Sequence, residues 1–200
     1  RGKLSCHKKF GESTALLVGD LLQSIAFSHL SSPSLQIKPE NQLKIIHTFS
    51  NAIGIEGMAK GQALDIENTN KNISLDELKT MHRFKTGALI NTACLMVVLA
   101  SNNHDKNTLN RIDAYSKSIG LMFQIKDDIL DKEASQEALG KTPGKDEKDN
   151  KSTFVSLLGI SKSKELAAGY YEEALTAIKP FGDNAYCLAG IAELMMTRSH

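Results

Sequence analysis

The sequence contains no tryptophan, only four prolines and only three cysteines among its 200 residues. So little proline, with Leu, Ile, Ala, Lys and Glu frequent, argues against a sandwich of many short strands and predicts a mostly helical chain with long helices. Cys6, Cys94 and Cys187 lie far apart with no Cys-x-x-Cys spacing, which reads as a reduced, cytoplasmic protein. An excess of one charge is also lacking: 24 Lys plus Arg oppose 23 Asp plus Glu. The whole-protein field therefore gives no reason to expect nucleic acid or an anionic membrane as partner, and any anion site must be local. Long apolar runs are missing, since stretches such as Thr92 to Ala100 are too short to span a bilayer. No signal-like segment opens the chain, and a start at Arg1-Gly2 without methionine reads as a cut through something longer. The six histidines show no metal spacing, no Glu-x-x-His occurs, and neither a P-loop nor a Ser, Cys or Thr nucleophile motif is present.

The 41% apolar content is enough for a substantial core, and 200 residues make one large domain or two small ones. Leu16, Leu17, Val18, Leu21, Leu22, Ile25, Ala26 and Phe27 surround a helix from about Gly11 to Leu30, which predicts burial on most of its sides. A second helix is predicted from Pro39 to about Ile66, with Gly54, Gly57 and Gly61 allowing bending or close contact. Ser74 to Glu77 reads as a capping box opening a long helix to about Ser101, with Leu75, Leu78, His82, Leu89, Ala93, Met96 and Ala100 on its inward stripe. A further helix is expected from about Thr108 to Leu130. The charged segment Lys132 to Asn150 is expected to be a long loop, either a functional lid or disordered, followed by helices near Ser152–Leu158, Lys162–Ile178 and Asn184–Arg198.

The chemistry concentrates in Phe123-Gln124-Ile125-Lys126-Asp127-Asp128-Ile129-Leu130-Asp131. At about 100° per residue, Gln124, Asp127, Asp128 and Asp131 share one arc while apolar residues cover the rest. Three carboxylates on one face repel unless neutralised, and Lys117, the nearby base in that arc, is too far back along the helix to serve all three. The stripe is either a solvated face or a Mg²⁺ site that bridges to a diphosphate. Lys85 and Thr86 continue the inward stripe of the preceding helix, where the ammonium either meets an anion or snorkels to the end of the bundle. Gln62 and Asp65 are a polar pair set among small residues, and Asp20, within the most apolar helix, requires a hydrogen bond or a charge partner. Lys141, Lys145, Lys148 and Lys151 stud the loop segment among acids.

Together these segments resemble the trans-isoprenyl diphosphate synthases, most closely the bacterial farnesyl diphosphate synthases (geranyltranstransferases). Phe123 to Asp131 is similar to that family's second aspartate-rich motif, Lys85-Thr86-Gly87-Ala88-Leu89-Ile90 to its Lys-Thr segment, and Gly61-Gln62-Ala63-Leu64-Asp65 to its Gly-Gln-x-x-Asp segment. Leu139-Gly140-Lys141 and Asp149-Asn150-Lys151-Ser152-Thr153 match the two lysine elements of its lid, and Gly19-Asp20 also fits.

The resemblance implies an all-α fold, the isoprenoid synthase helical bundle around a central cavity, as a single polyprenyl synthetase domain over residues 1–200 and usually a homodimer. It implies a Mg²⁺-dependent prenyltransferase of isoprenoid biosynthesis: an allylic diphosphate (dimethylallyl or geranyl) ionises, isopentenyl diphosphate attacks the allylic cation, and proton loss gives farnesyl diphosphate. By position, Asp127 would ligate Mg²⁺, with Asp128 and Asp131 holding it directly or through water. Lys85, Lys141 and Lys151 would bind the allylic diphosphate, Thr86 and Gln124 would stabilise the cation, Asp146 would orient metal-bound water, and Arg1 would contact isopentenyl diphosphate. The family's first aspartate-rich motif precedes the point at which this sequence starts, so the match is to the C-terminal two-thirds of such an enzyme. The N-terminal helices of the bundle would then be missing, and the 200 residues alone are expected to be inactive. A longer-chain (geranylgeranyl or polyprenyl) synthase and a non-catalytic helical partner subunit are the alternatives.

Overall fold

The structure, a computed structural model, describes residues 2–101, 105–137 and 151–199, and among these every regular element is helical. In chain order they are α1 (Cys6–Phe10), α2 (Glu12–Leu30), α3 (Pro39–Ile53), α4 (Met58–Glu67), α5 (Leu75–His82), a π-helical turn (Arg83–Gly87), α6 (Ala88–Ala100), α7 (Lys106–Glu137), α8 (Phe154–Leu158), α9 (Ile160–Ile178) and α10 (Tyr186–Thr197). Short 3₁₀ turns lie at Pro33–Leu35 and Lys179–Ala185.

The core is organised around α7. Tyr115, Ile119, Met122, Ile125 and Ile129 recur every three or four residues, and each is at most 2% exposed. They pack with Leu78, Phe154 and Ile178. Facing them on α9 are the small residues Ser163, Ala167 and Ala174, whose size lets the two helix axes approach closely. Burying each large aliphatic residue contributes roughly 1.5–3 kcal/mol. Tyr115 also donates its hydroxyl to the Leu188 carbonyl at 2.7 Å, tying α7 to α10. Burial, with a smaller effect of Cys94, pushes this phenol up to about 12, so it remains a neutral donor.

Local signals set the boundaries. The Ser74 hydroxyl accepts from the Glu77 N–H while the Glu77 carboxylate accepts from the Ser74 N–H at 2.7 Å, the reciprocal cap expected of that sequence. Thr153 and Ser156 cap α8 in the same reciprocal way. Gly159, at φ +79°, makes the turn from α8 into α9.

Several expectations need correction. The single helix expected over 39–66 is two, because the chain folds back at Gly57, where a Cβ would lie 2.1 Å from the Ala52 carbonyl oxygen. The helix over 74–101 is continuous but widens into the π turn at Arg83–Gly87. Beyond that turn the inward stripe does not continue as expected: Leu89 and Ala93 are exposed, whereas Thr92 and Leu99 are buried. The cause is that α6 is flanked by α3 on one side and α7 on the other, so its covered sides are those that meet these helices. Helix α7 runs on to Glu137, so the first residues of the expected lid, from Lys132, are helical, and the remainder lies outside the described residues.

The largest departure is α2, which has no buried residue. It leans on α3 through an edge-to-face contact of Phe27 with Phe49 at 5.4 Å and through the Gln42 amide, which donates to the Leu30 and Ser32 carbonyls. No described element covers its other side, so Leu16, Leu17, Leu21 and Leu22 are each more than half exposed. Asp20 is consequently exposed and needs no buried partner. Helices α5 and α6 with the intervening turn, Leu75–Ala100, span 26 residues, enough in length and mean hydropathy (1.3 over the most apolar window) to cross a membrane. Here this helix packs against α3, α4 and α7.

Candidate functional site

Glycines bring three elements together. A Cβ on Gly61 would lie 2.0 Å from the Lys85 backbone nitrogen, and one on Gly120 would lie 3.0 Å from the Gly87 Cα. Helix α4 therefore rests backbone to backbone on one side of the π turn, and α7 crosses at the other. Lys85 and Thr86 sit between them. Residues 151–154 close the group ahead of α8, held by a bond from the Ser152 hydroxyl to the Lys71 carbonyl at 3.2 Å.

The first cluster is centred on Asp65, which is 6% exposed. Its Oδ2 accepts from Lys85 Nζ and from Lys151 Nζ, each at 2.8 Å. Burial alone would raise its pKa, but the hydrogen bonds from Lys151 and Lys85 and their charges outweigh burial and hold it below its ordinary value. His82, one turn before Lys85, is 7% exposed and stacks on Phe154 with ring centroids 5.5 Å apart. Desolvation and the Lys85 charge push it down to about 4 against an opposing pull from Asp65, so it is neutral at pH 7.

The second cluster is a chain of hydrogen bonds. Thr86 Oγ1 donates to Gln124 Oε1 at 3.3 Å, Gln124 Nε2 donates to Asp128 Oδ1 at 3.2 Å, and the Phe154 N–H donates to Asp128 Oδ2 at 2.8 Å. Asp128 is thus buried at 5% exposure with both oxygens engaged by protein donors, and its position orients the Gln124 amide toward Thr86.

The third cluster separates the remaining acids from Asp128. Asp127 is paired with Arg198, which follows α10, and the Arg198 guanidinium also donates to the Phe123 carbonyl and lies 4.2 Å from the centre of the Phe123 ring. Burial raises the Asp127 carboxyl above its ordinary value; Arg198 pulls it back, and the neighbouring charge of Asp131 adds to the rise. Asp131, one turn further along α7, is exposed. The stripe is thus not three equivalent carboxylates, and its counter-charge comes from Arg198, 71 residues away, where no local sequence pattern could reveal it. Lys117 instead pairs with Asp113 at 2.6 Å. Arg1, Lys141, Lys145, Asp146 and Lys148 lie outside the described residues.

The donor set suits a hard divalent cation. Among the described residues no group of three or more His, Cys, Asp or Glu converges as a closed metal cage. Mg²⁺, however, is commonly held by one or two carboxylates, with water and phosphate oxygens completing the shell. Asp127 and Asp131 offer that pair on successive turns of α7, and a cation held there would take the place of Arg198 at Asp127. Open clefts of about 410 and 530 Å³ lie beside α9, lined by groups such as Glu172, Thr176 and Asp183, and share no residue with these clusters.

Residues 1–181 match the Polyprenyl synthetase family model. The chain is 37% identical to the farnesyl diphosphate synthase of Escherichia coli (strain K12) over 100% of its own length and 68% of that protein's. It is 43% identical to the farnesyl diphosphate synthase of Micrococcus luteus, covering 92% of this chain and 63% of that one. It superposes with a TM-score of 0.80 on a geranyltransferase from Helicobacter pylori complexed with magnesium and isoprenyl diphosphate, at 31% identity over 97% of this chain and 62% of that one. The chain thus spans 63–68% of the length of these two farnesyl diphosphate synthases. This all-helical chain, of which residues 1–181 match that family model, belongs to the polyprenyl synthetase family.

Proposed function

We propose that this chain carries the allylic-diphosphate side of a Mg²⁺-dependent prenyltransferase site that condenses dimethylallyl or geranyl diphosphate with isopentenyl diphosphate to give farnesyl diphosphate. The observation that carries the reading is the joining of two lysines, from segments 66 residues apart in sequence, to the α7 carboxylate helix through the Thr86–Gln124–Asp128 chain. Farnesyl diphosphate synthases at 37–43% identity favour this chain length over a longer product, and the intact carboxylates weigh against a non-catalytic partner subunit. The resemblance extends the proposal to a cytoplasmic homodimer, testable by fractionation and by light scattering of the complete protein.

In this reading Asp127 and Asp131 would hold Mg²⁺, which would supply the positive charge that makes diphosphate a competent leaving group. Asp128, enclosed by its protein donors, braces Gln124. Lys85 and Lys151 bind diphosphate oxygens and stabilise the charge that grows on them as the C–O bond breaks, an interaction stronger in the transition state than in the ground state. The Thr86 hydroxyl and Gln124 amide present dipoles to the allylic cation and are fixed in orientation by Asp128. Lys141 and Arg1 join the diphosphate-binding set by resemblance alone.

The test is turnover of geranyl diphosphate with isotopically labelled isopentenyl diphosphate and Mg²⁺ by the complete protein, with products resolved by chain length. Farnesyl diphosphate is the expected product. Asp127→Ala should retain the helical circular-dichroism spectrum and lose at least about a hundredfold in turnover, the scale of removing one electrostatic contact to a developing charge. Full activity in that variant would remove the metal assignment.

A further inference from the structure

We infer that Asp65 is a positioning residue of the diphosphate site: its buried carboxylate pins the ammonium groups of Lys85 and Lys151 side by side, so that a diphosphate meets them as a pre-formed pair. The inference rests on the proposed function and adds a role for a residue that the reading leaves without one.

The geometry is specific. Both ammonium nitrogens lie 2.8 Å from the same oxygen, Oδ2, so they are separated by no more than twice that distance. Two like charges held so close require a shared counter-ion, and none but a carboxylate between them could hold both in one place. Asp65 is itself rigidly set: its side chain is 7% exposed, and α4 lies against the Lys85 backbone at Gly61, where even a methyl group would not fit. The two lysine side chains are 32% and 28% exposed, so solvent, and hence a ligand, reaches them. Lysine is a flexible chain whose ordering costs conformational entropy, and a lysine pinned beforehand has already met most of that cost when the ligand arrives.

The arrangement gives an unusual sign to the test. Asp65 is negative, so if it acted only as a nearby charge, its removal would strengthen the attraction of the site for an anion. If it positions the lysines, its removal weakens anion binding although the local charge becomes more positive. A residue needed only for folding would change stability and leave the affinity of the folded protein alone.

The experiment is calorimetric titration of inorganic diphosphate, with Mg²⁺ at fixed concentration, into the complete protein and its Asp65→Asn and Asp65→Glu variants, with thermal unfolding followed in parallel. Asp65→Asn should weaken diphosphate binding about tenfold, and Asp65→Glu should recover most of the loss because it restores a shared carboxylate. Unchanged or tighter binding by folded Asp65→Asn would overturn the inference. Should Asp65→Asn fail to fold, Lys85→Gln, Lys151→Gln and the double variant decide the matter in the presence of Asp65. Lysines that act as a pre-formed pair lose affinity non-additively, whereas additive losses would overturn the inference. The proposed function is checked separately within the same set: if neither single lysine variant weakens diphosphate binding, the diphosphate reading itself falls, whereas weakened but additive lysine variants remove only the role of Asp65.

Discussion

His82 stacks on Phe154 and feels the charges of Lys85 and Asp65, and among the described residues its buried Nδ1 has no hydrogen-bond partner. Its folded pKa of about 4, below the ordinary 6.5, means that the unfolded chain binds a proton that the folded chain refuses over that interval. The unfolded state therefore gains protons first as pH falls, so stability should be constant above about pH 6.5 and decline between 6.5 and 4, by up to about 3 kcal/mol. Asp65, held below its ordinary value, contributes stability that is lost only at lower pH, beneath the ordinary carboxylate range, so the two windows are separate. Urea unfolding at pH 7.5 and pH 5 should show the decline in the parent and a much smaller one in His82→Phe, which keeps the ring contact with Phe154; equal slopes would refute the assignment. At this scale the sequence was legible where chemistry is local. The arc shared by Gln124, Asp127, Asp128 and Asp131 follows from helical spacing, yet only tertiary packing makes Asp128 a brace for Gln124, Asp127 a partner of Arg198 and Asp65 a hub for two lysines.

Among the elements, the capping box of α5, the proline start of α3 and the apolar stripe of α7 were readable because each is a local pattern with one structural meaning. The break at Gly57 and the widened turn at Arg83–Gly87 were not, since both depend on what lies opposite: Ala52 in the first case, α4 and α7 in the second. The glycines provide the check. In Gly61→Ala the new methyl would be driven into the Lys85 backbone, which cannot swing aside as a side chain can, so α4 must lift off the turn. We expect a loss of about 1–3 kcal/mol or more in chemical denaturation, with weaker diphosphate binding as Asp65 retreats from its lysines. Gly169, inside α9 with nothing within 4 Å of its would-be Cβ, is the control: Gly169→Ala should stabilise by about 0.5–1 kcal/mol through helix propensity alone. Similar effects of the two substitutions would show that the contact at Gly61 is not tight.

At the scale of the whole molecule, the helical character was legible from composition and periodicity, while the distribution of burial was not. The apolar circumference of α2 gives no indication of which neighbours lie beside it, and among the described residues α1 and α3 are its main ones. Leu16, Leu17, Leu21 and Leu22 on α2, together with Leu89 and Val97 on α6, therefore meet water in the folded chain. Since these side chains are hydrated both before and after unfolding, they add little to the rise in heat capacity that accompanies it. The 200-residue chain should unfold with an increment below the usual value of about 12–15 cal/mol/K per residue, measurable by differential scanning calorimetry, and an increment at or above that range would contradict the exposed face. A small increment also flattens the dependence of stability on temperature, so chilling should weaken this chain less than it weakens a domain of equal size with a fully enclosed core.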